Sequence, residues 1–125
     1  MALIIPNLKL GNKTTENAYA KVGRVNVDNN TKKATFNIFI YKSKTDETIL
    51  TTIAGLSFAI IEGLDIINQC IAAAILKVTD VKNTIASMQA EVDADLTHSN
   101  RKLIWDLSVL KANKILLLDG AVEDI

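Results

Sequence analysis

Histidine, cysteine, proline and tryptophan each occur once in this 125-residue chain, as His98, Cys70, Pro6 and Trp105. One histidine excludes a multi-histidine metal site within a chain. His98 sits in the polar stretch Thr97-His98-Ser99-Asn100 and reads as an exposed residue at a helix junction. One cysteine excludes an intrachain disulfide and fits synthesis in a reducing compartment. The apolar neighbours Ile66, Ile67, Ile71 and Ala74 mark Cys70 as a buried, inert thiol. Aromatics make up only 5% of the chain, so its core must be aliphatic. The five glycines are dispersed, and no phosphate-cradling loop, nucleophile elbow or HExxH motif occurs. No cofactor and no metal is expected.

Charge of one sign is also missing. Fourteen basic residues balance fourteen acidic ones, so the surplus a nucleic-acid binder needs to displace counterions is absent. The balance is uneven along the chain, at +4 over residues 1–50 and −4 over the remainder. That asymmetry reads either as two differently solvated faces or as head-to-tail attraction between copies. The most apolar region, residues 53–78, is interrupted by Glu62, Asp65, Asn68 and Gln69. It falls short of the roughly 18–20 apolar residues of a membrane span. Met1-Ala2-Leu3-Ile4-Ile5-Pro6 has neither the basic region nor the apolar run of a signal peptide, so none is expected.

Apolar residues, at 49%, are enough to build one packed core. The first 45 residues read as β structure. Pro6 between two short apolar runs suits an edge strand, because it cannot donate to a ladder. Gly11-Asn12-Lys13 signals a turn, and residues 28–33 form a hairpin loop between strands 18–27 and 34–43. In the second of these strands Ala34, Phe36, Ile38 and Ile40 share an apolar face, while Thr35, Asn37, Phe39 and Tyr41 share the other. Phe39 and Tyr41 either await another chain or pair across the sheet. A short strand is expected over 56–61.

Asp65 can cap a helix to about residue 78, with apolar positions at three- and four-residue spacing. Asn68 and Gln69 near its start could line a site or could simply be polar groups beside a helix end. Thr79 or Asp80 can cap a second helix carrying Val81, Ile85, Met88, Val92 and Leu96. Leu103, Leu107 and Leu110 continue that stripe beyond a break at 97–100, and Gly120 marks the stop before an acidic tail. The near-heptad spacing presents a narrow seam. It belongs either to an assembly helix or to an intrachain helical hairpin turning at 97–100. Trp105, on the rim, is a packing anchor within the chain or across an interface. Glu91 and Asp95 share a helix face, but nothing nearby completes a cation's coordination shell.

The run Glu16-Asn17-Ala18-Tyr19-Ala20-Lys21-Val22, with Arg24-Val25-Asn26-Val27-Asp28 and Phe39-Ile40-Tyr41-Lys42-Ser43, resembles a group of small virion-associated proteins of tailed bacteriophages. The resemblance extends over about the first 78 residues, through a helix ending in Leu76-Lys77. It departs at Ala72-Ala73-Ala74, where the group usually has an aromatic residue, and it says nothing about residues 79–125. It implies a non-enzymatic virion part present in several copies, at the tail, neck, baseplate or capsid surface.

The sequence therefore predicts an α+β protein: a small antiparallel sheet with one helix packed on it over residues 1–78, and a helical assembly segment over 79–125. Its expected partners are itself, as a homo-oligomer, and other virion proteins, with no nucleic acid and no membrane. It would be made in the host cytoplasm and carried in the virion. The expected interface residues are Phe39, Tyr41, Leu103, Trp105, Leu107 and Leu110. The alternative is an intracellular assembly chaperone or adaptor that is not retained in the particle.

Overall fold

In a computed structural model, which describes residues 2–124, the chain folds as α+β. Four strands follow one another as an antiparallel meander: β1 (Ala2–Leu10), β2 (Lys13–Asp28), β3 (Lys33–Tyr41) and β4 (Ile49–Ala59). Two helices come next, α1 (Ile66–Ala94) and α2 (Arg101–Lys111), then a 3-10 turn over Lys114–Leu118. A last strand, β5 (Val122–Asp124), pairs antiparallel with the free side of β1, giving the order β4-β3-β2-β1-β5.

One face of this sheet supplies the core: Leu3, Ile5, Leu8, Ala18, Ala20, Phe36, Ile38, Ile40 and Ile53 are all buried. Against them α1 lays Cys70, Ile71, Ala74, Val78 and Val81, and the 3-10 turn adds Ile115 and Leu118. The small side chains in this α1 stripe let the helix approach the sheet closely.

The sheet is more continuous than the sequence suggests. β1 runs straight through Pro6 because β5 reaches only to Ile4, so one side of β1 is already an edge there. Opposite Pro6, Asn17 takes a left-handed backbone (φ 53°). The inward alternation then steps from Ile5 to Leu8 and from Ala18 to Thr15. β4 begins seven residues before the expected strand. Gly55 (φ 73°) lies in a bulge there, and the extra residue hides the period of two.

The expected helix boundary at residue 79 is absent. α1 passes through it because Val78 and Val81 keep the buried stripe in phase and no glycine or proline lies within the helix. Thr79 turns its hydroxyl back to the Ile75 carbonyl instead of capping, as threonine does inside helices. The division of the chain at residue 78 therefore disappears. Ile115, Leu118 and β5 belong to the same packed unit as the sheet. The acidic tail is not a loose end, since Glu123 and Asp124 lie opposite Leu3 and Ala2.

The link from β4 to α1 depends on Gln69, the one buried polar residue among the described residues. Its Nε2 donates to the carbonyls of Ile61 (2.9 Å) and Leu64 (3.1 Å), and its Oε1 accepts from the Ile61 amide (2.8 Å). Asp65 caps the helix by accepting from the Asn68 amide at 3.0 Å. Replacing Gln69 by leucine removes three bonds and leaves three backbone groups unpaired in a part-buried turn. A loss of about 2–4 kcal/mol is expected, read as a lower urea midpoint at unchanged slope.

Candidate interaction surfaces

The helices leave the second face of the sheet uncovered. Directly opposed residues on it form a row across all five strands, Val122–Ile4–Tyr19–Tyr41–Ile49. The two ends of the row are half exposed, yet Tyr19 in the middle is only 7% exposed. It is shielded by a clasp. The Tyr19 hydroxyl donates to Asp124 Oδ2 at 2.7 Å, and Lys44 Nζ, from the β3–β4 loop, reaches the same oxygen at 2.9 Å. Lys44 also lies 5.8 Å from the Tyr19 ring centre, while Lys21 lies 5.5 Å and 5.8 Å from the Tyr19 and Tyr41 rings. Under the same loop is a cleft of about 360 Å³, lined in part by Lys21, Tyr41, Ser43, Asp46 and Ile49.

The clasp shifts its members' protonation. The hydrogen bonds from Tyr19 and then Lys44 hold the Asp124 carboxyl below the usual carboxylate range. The bond to Asp124, and then burial, push the Tyr19 phenol up. The bond to Asp124 likewise raises Lys44.

Phe39 sits beside this row and is accounted for within the chain. Its ring lies so close over Gly23 that a Cβ there would stand 2.2 Å from a ring carbon. The Arg24 guanidinium is 5.8 Å from the ring centre. Glycine in a strand is covered here by an aromatic from its neighbour. Of the two readings of Phe39 and Tyr41, pairing across the sheet is thus present in the structure.

The second surface is a helical arm. Burial of α1 ends at Val81, and the rest of that helix has α2 as its neighbour. Residues 97–100 turn the chain, so the intrachain hairpin is the arrangement found. Leu107 is buried, and Leu103 and Leu110 are half-buried. Spacings of four and three put these three on one face of α2, turned to α1. Trp105 points away and is 69% exposed; Val109, one turn on, is 56% exposed, and Leu96 at the tip is 88% exposed. Of the four α2 residues expected at an interface, only Trp105 is presented outward. Val109 and Leu96 are exposed apolar residues outside that expected set. The missing signal is geometric: once the Leu103/Leu107/Leu110 stripe faces inward, positions 105 and 109 must face out.

The polar groups on the arm are engaged in local structure. Asp95 ends α1 and accepts from the Thr97 hydroxyl and the Asn100 amide, both at 3.0 Å, so it forms no site with Glu91. Asn100 caps α2 by accepting from the Leu103 amide. His98 is exposed in the turn with φ 49°. Burial pushes the Cys70 thiol up, away from the thiolate. Among the described residues no three of His, Cys, Asp and Glu come together, and no helix is long and apolar enough to cross a membrane. A scan against protein-family models finds no match, and no curated protein or solved structure matches the chain.

The glycine contact can be measured by a double-mutant cycle. Gly23→Ala forces the Phe39 ring away and should cost about 1–2 kcal/mol. In a Phe39→Ala background the same change should be neutral or stabilising by roughly 0.5–1 kcal/mol, because the backbone entropy of glycine is relieved. Equal effects in both backgrounds would remove the ring from the explanation.

The clasp predicts a pH window. A lowered carboxyl contributes stability above its unfolded value of about 4 and loses it as pH falls through its folded value. A raised phenol contributes below about 10 and loses it as pH rises through its folded value. The stability difference between the parent and Asp124→Asn, followed by urea unfolding, should be flat near neutrality and shrink on the acid side. A difference that persists undiminished in acid would mean the clasp is not formed in solution.

Proposed function

We propose that this chain is a structural component of a tailed bacteriophage virion, at the tail, neck, baseplate or capsid surface, and that it acts by protein–protein association. In this reading it is not an enzyme. It is made in the host cytoplasm, associates with copies of itself and with other virion proteins, and enters the particle. The observation that carries the association is the arm: a two-helix projection with Trp105, Val109 and Leu96 exposed. A helix pair that has left its sheet has no third layer to bury an indole, and an exposed tryptophan with an apolar neighbour one turn away suits an interface anchor. The phage context rests on the resemblance over residues 16–28 and 39–43. Within that motif Tyr19, Lys21 and Tyr41 meet on the open face, where they support the sheet.

Mass spectrometry of purified particles tests the reading. The chain should be present, in several copies per particle. Its absence from finished particles, together with failed assembly when it is deleted, would replace this reading with that of an assembly chaperone.

A further inference from the structure

Resting on the association reading above, we propose that the partner of the arm is the same arm of a second copy, and that two hairpins close into a four-helix bundle. A single helical pair cannot enclose a core, and four-helix bundles built from two hairpins are a stable solution to that problem. One flank of the arm is shaped for it. A groove of about 410 Å³ runs between α1 and α2, lined by Thr84, Met88, Asp106, Val109, Leu110 and Asn113. Trp105 lies on the outward side of α2, 69% exposed, and burying an indole brings roughly 150–250 Å². The opposite flank carries a groove of about 330 Å³ as well, but it is crossed by the hydrogen bond from Lys111 Nζ to Gln89 Oε1 at 2.8 Å, whereas among the described residues no hydrogen bond crosses the first.

Charge identifies the occupant. From residue 83 to the end of α1 at its cap, the chain carries Glu91, Asp93 and Asp95 and no base. α2 carries Arg101, Lys102 and Lys111 against the single acid Asp106. The hairpin does not use this match internally. The only salt bridge on the arm among the described residues is Lys102–Asp106, within α2 itself. Helical spacing places Glu91 on the flank of Thr84 and Met88, and Lys102 on the flank of Asp106 and Val109.

A two-fold axis along the arm keeps both tips at one end and lays α1 of each copy over α2 of the other. Glu91 of each copy then meets Lys102 of the other, a contact made twice by symmetry. An axis across the arm would lay α1 on α1 and forfeit the match. Each arm carries both halves of the complementarity, so a second copy suffices as partner.

Sedimentation of the full chain at roughly 10–100 μM, where such association is read by mass action, tests this through a charge swap. The parent should be a dimer. Glu91→Lys and Lys102→Glu should each weaken the dimer about tenfold or more, since each sets like charges opposite one another twice. Mixing the two variants should restore it, because both cross-pairs become opposite in sign. Trp105→Ala should weaken the dimer while helix content by circular dichroism is retained. A parent that is monomeric, a dimer indifferent to both charge reversals, or variants that stay apart when mixed would each overturn the proposal. None of those results bears on whether the chain is found in particles, which the mass spectrometry decides separately.

Discussion

The structure depends on the contact of one long helix with one face of a short sheet. α1 has 29 residues, about 43 Å at 1.5 Å per residue. Packing is confined to the first half of the helix, where Cys70, Ile71, Ala74, Val78 and Val81 meet the sheet. The excess has to be stabilised elsewhere, because a helix in water gains little from propensity alone. α2 supplies that surface. Its return direction carries the chain back to the sheet, where Ile115 and Leu118 join the core and β5 completes the order beside β1. The arm and the C-terminal strand are therefore both linked to the half of α1 that the sheet does not bury.

The uncovered face shows how a one-layer covering is sustained. Antiparallel sheets tolerate water on one side if that side is polar or protected by its own groups. Here the protection is local. Phe39 lies on Gly23, lysines lie over the tyrosine rings, and Tyr19 and Lys44 converge on one carboxylate oxygen. Asp124 has a second role through its position. β5 is only three residues long, and its backbone pairing alone would be marginal. The side-chain bonds at its end tie it both to the sheet and to the β3–β4 loop.

Much of this was legible in the sequence where the period was clean. The alternation from Ala34 to Tyr41 gave the two faces of β3, and the three- and four-residue spacing from Cys70 onward gave the buried stripe of α1. Asp65 reads as a cap and is one. Legibility failed where an exception was local. Pro6 read as a residue of an edge strand, and β1 is an edge there, but the first seven residues of β4 were not legible, because the bulge at Gly55 hides the period of two. Thr79 and Asp80 looked like a cap because a threonine bonding its own helix has the same identity as one starting a new helix. Gln69 was legible only as a residue that could line a site or a polar group beside a helix end, since its three partners come from a turn that exists only once β4 and α1 are in place. The C-terminal strand escaped for the same reason: three residues gain strand character only from the strand they join. On the surface side, Trp105 stood out by type, while Val109 required knowing which way α2 faces.

Many of the polar side chains hold turns and helix ends in place. In the structure Asp28, Asp65, Asp95, Asn100 and Asn113 each accept from backbone amides at a turn or helix end, and Gln69 is fully engaged in the β4–α1 link. The arm, beyond the reach of the sheet, leaves Leu96, Trp105 and Val109 exposed, with acids towards the end of one helix and bases on the other, and it is on these features that the proposed association rests.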